Sequence, residues 1–135
     1  MQELHLKPSD LNPEILFSPG KNTFMIKGIS RPENVRDVYE PAVKWLSEFS
    51  NELTVEDSLY TEDNPFILQM DLEYFNSSSA KFLYDLVMIT REIKEKGIPT
   101  AIAWTYDPAD PDIREAGEDL AILAEIDFLY IKRPE

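Results

Sequence analysis

The run from Phe66 to Phe75 passes through four polar residues directly into a helical repeat, and that handover restricts the chain to few architectures. Phe66-Ile67-Leu68 is apolar, after which Gln69, Asp71 and Glu73 alternate with Met70, Leu72 and Tyr74, the spacing of a strand. After Asn76-Ser77-Ser78-Ser79, the residues Phe82, Leu83, Leu86, Val87, Thr90 and Ile93 recur every three or four positions, the core stripe of an amphipathic helix. A strand that gives way at once to a helix is half of a βαβ unit, which calls for a right-handed crossover and a parallel neighbour.

The polar pivot has a capping role, because Asn and Ser oxygens accept from the orphan N–H groups of a first helical turn. One or two hydroxyls suffice for that, and three stand in a row. Advancing about 100° per residue from Ser77 places Lys81, Tyr84 and Met88 near it, away from the core stripe, while Ser79 falls on the stripe. Ser77 is therefore expected to face solvent, and Ser79 the core. An exposed hydroxyl at a helix start suits phosphorylation, since the N–H groups and the macrodipole favour an added dianion.

The rest of the chain repeats the alternation. Residues 1–12 show no period and read as an extended or mobile lead-in. Glu14–Ser18 and Thr23–Gly28 form a hairpin around Pro19-Gly20-Lys21-Asn22. Asn34 caps a helix running from Val35 to Phe49, which either kinks at Pro41 or restarts there. Ser50 to Asn64 is an acidic loop. Lys96-Gly97 and Pro99 end the second helix, and Pro99 to Tyr106 is the next strand. Asp110 and Pro111 open a third helix marked by Ile113, Ala116, Leu120, Leu123 and Ala124, with Gly117 its weak point. Ile126 to Ile131 is the last strand. The order β-β-α-β-α-β-α-β specifies an α/β domain with a mixed, mostly parallel sheet and helices packed on it, spanning residues 1–135 as one unit.

Chemistry is constrained by what the chain lacks. It contains no Cys and one His, His5, so thiolate or multi-His metal sites and the usual nucleophile–base pairs cannot be built. The glycines are scattered, with no phosphate-binding loop. Asp71 and Glu73 share a strand face, where a carboxylate pair would serve a small enzyme or hold a cation, but in so acidic a chain such a face is ordinarily just solvated. The expectation is no catalytic residue, no metal and no cofactor. A net charge of −13 repels nucleic acid and anionic membranes and favours a protein partner with a basic surface. Without an apolar run long enough to span a bilayer or a signal-peptide pattern, a cytoplasmic protein is expected.

These features resemble a known group. The topology is similar to the STAS-like fold of anti-sigma-factor antagonists, in which a Ser or Thr at the start of a central helix is phosphorylated. More closely, the chain resembles the SiaC-type family of bacterial regulatory phosphoproteins. The likeness rests on Pro32-Glu33-Asn34 with Pro41 and Trp45, on Tyr74-Phe75-Asn76-Ser77-Ser78-Ser79-Ala80-Lys81, and on Trp104-Thr105-Tyr106-Asp107, over roughly Asn12 to Ile131. The resemblance implies a partner switch: a protein kinase and a PPM-type phosphatase set the phosphorylation state, and the unphosphorylated form binds and activates a diguanylate cyclase. The family's acceptor, commonly Thr, corresponds to Ser77, with Ser78 as the lesser candidate. Asn76, Ser77, Ser78, Lys81, Tyr84 and Met88 are then the partner-binding residues, joined by Arg31, Glu33 and Asn34 from the connection before the first helix. Three alternatives remain open: an anti-sigma-factor antagonist, an acidic adaptor that is never phosphorylated, and a small enzyme using Asp71 or Glu73. The antagonists carry a Gly soon after their acceptor, where this chain has Ser79 and Ala80.

Overall fold

The computed structural model describes residues 1–134. Its elements are β1 (Leu4–Leu6), β2 (Glu14–Ser18), β3 (Thr23–Ser30), α1 (Val35–Glu52), β4 (Phe66–Phe75), α2 (Ser77–Glu95), β5 (Thr100–Tyr106), α3 (Pro111–Ala124) and β6 (Leu129–Lys132). The six strands form one sheet in sequential order. β1–β2 and β2–β3 pair antiparallel, while β3–β4, β4–β5 and β5–β6 pair parallel, each parallel step crossing over through one helix.

The alternation along β4 shows how the layers form. Phe66, Leu68, Met70 and Leu72 are buried under the helices, while Gln69 and Glu73 are exposed on the opposite, uncovered face. Ile15, Phe17, Phe24 and Ile26 extend the same inner layer, and Phe24, Phe49 and Phe66 pack with ring centroids 4.6–5.8 Å apart. Antiparallel and mixed sheets tolerate one wet face of this kind.

The first point beyond the sequence reading is β1: the lead-in expected to be extended or mobile is extended, and it pairs as a strand. Leu4 and Leu6 pair with Phe17 and Ile15 and rest half-buried against the core, while His5 points outward to Glu14 at 2.8 Å. Trp45 Nε1 donates to the Gln2 carbonyl at 2.8 Å and anchors the segment from below. A second difference concerns α1, which runs unbroken through Pro41 to Glu52, so no second segment starts at the proline. Pro41 lies on an exposed turn, and the helix is held by Val38, Tyr39, Ala42, Trp45, Leu46 and Phe49 beneath it. Burial of that stripe outweighs the roughly 3 kcal/mol that an interior proline costs. The last strand is also shorter than expected, starting at Leu129.

The third helix corrects two readings. Leu123, assigned to the core, is 69% exposed, and Gly117 is a packing requirement. A Cβ at Gly117 would lie 2.5 Å from Trp104 Nε1, whose N–H donates to the Ile113 carbonyl at 3.0 Å. The absence of a side chain lets α3 settle onto the indole.

Candidate functional site

β3 and β4 end side by side, with Ser30 paired to Phe75, so the helices that follow them start at the same end of the sheet. Each start is capped by an asparagine: Asn34 Oδ1 accepts from the Asp37 N–H at 3.4 Å, and Asn76 Oδ1 from the Ser79 N–H at 3.0 Å. The Asn76 N–H donates to the Ser30 carbonyl at 3.0 Å, tying the two connections together.

Within this frame the three serines have different environments. Ser79 is completely buried; its hydroxyl accepts from Ser30 Oγ at 2.8 Å and donates to the Ser30 carbonyl at 3.2 Å. The Tyr39 hydroxyl stands 2.6 Å from Ser30 Oγ and completes a buried chain of hydroxyls between α1, β3 and α2. Burial pushes the Tyr39 phenol up to about 12 despite these bonds. Ser78 is exposed, and its hydroxyl donates to Asn76 Oδ1 at 3.0 Å. Ser77 is exposed as the first residue of α2, a helix with no acidic side chain in its first turn, so the positive end of its dipole is uncompensated from within.

The face running up α2 from Ser77 is more covered than the wheel suggests. Tyr84 and Met88 are half-buried and pack against the core. Tyr84 forms one wall of a groove of about 500 Å³ between α2 and α3, with Phe75, Ala80, Leu120 and Leu123 as its apolar lining and Lys81 and Asp119 at its edges. Lys81 Nζ is 2.8 Å from Asp85 Oδ2 and lies over the Phe82 ring, so its charge points away from Ser77. The pair is exposed, and such pairs exchange partners at little cost.

The residues before α1 divide. Arg31 is exposed and follows Ser30 directly, which sets its backbone beside Asn76. Glu33 and Asn34 line a separate hollow with Ser9, Leu11 and Asp37, on the side of the N-terminal segment. The groove lining from α3 is what sequence reasoning missed. No clear signal marked it, because Leu123 sits at the border of the stripe set by Ile113, Leu120 and Ala124, where the helical period does not separate core from solvent.

The carboxylates of β4 do not converge. Asp71 pairs with Arg133, whose guanidinium is held in its charged form chiefly by that hydrogen bond, while Glu73 is exposed. Among the described residues no group of three or more His, Asp or Glu is placed to hold a metal ion, and no helix is long and apolar enough to cross a membrane.

Comparison with known proteins agrees with this geometry. The family model described as "SiaC family regulatory phosphoprotein" matches residues 6–133. An uncharacterized protein of Pseudomonas aeruginosa (strain UCBPP-PA14) is 25% identical over 119 residues, covering 88% of this chain and 87% of that protein. Among solved structures, apo-SiaC from Pseudomonas aeruginosa superposes with a TM-score of 0.78 at 22% identity, over 99% of this chain and 100% of that one. A second structure, of the diguanylate cyclase SiaD in complex with its activator SiaC from the same organism, gives 0.78 at 22% identity, over 96% and 97% of the two chains.

Proposed function

We propose that this chain, which belongs to the SiaC family of regulatory phosphoproteins, is a non-enzymatic partner switch governed by phosphorylation of Ser77. The observation that carries the proposal is the contrast among the three serines: Ser79 is buried in a hydroxyl chain, Ser78 is bonded to the cap, and Ser77 alone combines exposure with the first position of a helix lacking its own acidic residue. In this reading the unphosphorylated chain binds and activates a diguanylate cyclase, as SiaC does in the related complex. A kinase adds the phosphate and a PPM-type phosphatase removes it. The contact runs from Ser77 along Lys81 to the Tyr84 groove, with Arg31 at its margin.

The sign of the switch follows from charge. A phosphate adds about −1.5 to −2 charge at pH 7, which the helix start and the nearby Lys81 tolerate in the free protein. Enclosed by a partner fitted to a neutral hydroxyl, the same charge costs several kcal/mol, and about 1.4 kcal/mol already weakens binding tenfold.

The test pairs titration calorimetry against the cyclase with thermal melting, for phosphorylated and unphosphorylated protein, after the site is mapped by fragmentation mass spectrometry. Phosphorylation at Ser77 should abolish binding while leaving the melt unchanged or slightly raised. Ser77→Ala should bind constitutively, and Ser77→Asp, with one charge and fewer acceptor oxygens, should weaken binding only in part. Phosphate found on Ser79, stronger binding after phosphorylation, or a collapsed melt each contradict the proposal.

A further inference from the structure

Exposed apolar side chains flank β6 on both of its faces: Leu129 and Ile131, at 58% and 46% exposure, on one, and Ile122 of α3, at 74%, on the other. Exposed apolar side chains on both faces of one edge strand stand out on a chain of net charge −13. β6 is the last strand of the sheet: it pairs with β5 on one side and, among the described residues, with no strand on the other. Its two faces differ. Leu129 and Ile131 continue the uncovered face of the sheet, opposite Ala103 and Thr105 of β5. Phe128 and Tyr130 look toward α3 across a hollow of about 430 Å³ rimmed by Glu118, Glu125 and Asp127.

We propose that this edge is a second docking surface, occupied by an extended cationic segment of a partner protein that adds to β6 as a further strand. The unpaired edge supplies backbone groups that only another extended chain can satisfy in order. The two faces dictate the pattern, because side chains of a strand alternate. One set, apolar, meets Leu129 and Ile131; the other, Lys or Arg, meets the acidic rim. Glu118 faces Arg114 at 3.5 Å in an exposed pair, Glu125 faces the half-buried Arg91 at 3.9 Å, and neither cation pairs with Asp127. Exposed pairs of that kind yield readily to an incoming cation. A second copy of this chain is the wrong occupant, since it would bring one acidic rim against another. β6 is short, which limits the backbone ladder, so apolar contact and charge must supply much of the binding. The surface lies across α3 from the Tyr84 groove.

The test uses the full chain labelled with ¹⁵N and a synthetic amidated peptide of about nine residues alternating Val and Lys, long enough to overlap the whole edge. Titration should perturb the amides of Ile122 and residues 127–132 and saturate. A peptide of equal composition with its lysines clustered at one end should bind at least roughly tenfold more weakly, as should the alternating peptide toward the double variant Leu129→Thr, Ile131→Thr. Thr keeps strand propensity, so the variant's melt should match the parent's; Ile122→Ser, on a helix surface, provides an independent check. Protein phosphorylated at Ser77 should bind the peptide equally well, a result that does not depend on whether a cyclase is the effector. Equal binding of the clustered peptide, or shifts scattered over the acidic surface, would reduce the interaction to general charge attraction. A dimer in sedimentation velocity that Leu129→Thr, Ile131→Thr dissociates would assign the edge to a second copy. Loss of peptide binding on phosphorylation would merge the two surfaces into one.

Discussion

Ser79→Ala should destabilise the protein more than Tyr39→Phe, although both remove one hydroxyl from the same buried chain. The order follows from proton bookkeeping. Ser30 Oγ donates to Ser79 Oγ, and Ser79 Oγ donates to the Ser30 carbonyl, so the proton shared at 2.6 Å between Tyr39 and Ser30 belongs to Tyr39. Tyr39 therefore heads the chain as a donor, and replacing it with Phe leaves every remaining proton with an acceptor. The loss is one hydrogen bond, about 0.5–1.5 kcal/mol. Ser79→Ala instead removes the acceptor for Ser30. If Ser30 turns toward Tyr39, the phenol proton is orphaned; if it does not, its own is. Either way one buried donor goes unsatisfied, at about 1–3 kcal/mol. Ser30→Ala orphans the phenol proton directly and belongs in the same range. Because Ser30→Ala with Ser79→Ala still leaves a single orphan, the pair should cost clearly less than the sum of its members. Urea unfolding with unchanged slope reads these differences as midpoints. If Tyr39→Phe costs as much as Ser79→Ala, or the double variant is additive, the donor order assigned to this chain is wrong.

Three further outcomes are expected. Tyr39 ionises near 12 in the folded chain against 10 when unfolded, so its contribution is fully present below pH 10 and is lost as pH rises through the folded value. The stability advantage of the parent over Tyr39→Phe should accordingly shrink by roughly 1 kcal/mol by pH 11, and a gap that stays constant would contradict the raised value. Gly117→Ala gains about 1 kcal/mol of helix propensity but forces a methyl into the buried Trp104 indole, where overpacking costs about 1–3 kcal/mol or more, so a net loss in thermal melting is expected and a gain would show that α3 can shift. Leu86→Ala, fully buried, should cost about 2–5 kcal/mol, while Tyr84→Ala should cost about 1 kcal/mol through its half-buried ring and yet weaken effector affinity more once unfolding is corrected for; equal melting losses would mean that Tyr84 belongs to the core and not to a binding face.

Local rules were enough for much of this protein. The Asn34, Asn76 and Asp110 caps are short-range hydrogen bonds between a side chain and the backbone a few residues on, so they are written in the sequence and appear in the structure. The period of α2 alone told Ser79 from Ser77, because the direction of the core is the direction of the apolar stripe. The parallel order of β3 to β6 likewise follows from strands separated by helices. Other features depend on what lies across from them. Leu4-His5-Leu6 is too short to show a period and is a strand only because β2 offers an unpaired edge and Trp45 reaches the Gln2 carbonyl. Gly117 looks like a flaw in a helix until Trp104, distant in sequence, is seen to occupy the place of its side chain. Tyr84, Met88 and Leu123 sit at the borders of their stripes, where periodicity cannot decide between core and solvent. The spacing of α2 from α3, set by the sheet beneath, half-buried the first two and left Leu123 exposed on the lip of the groove.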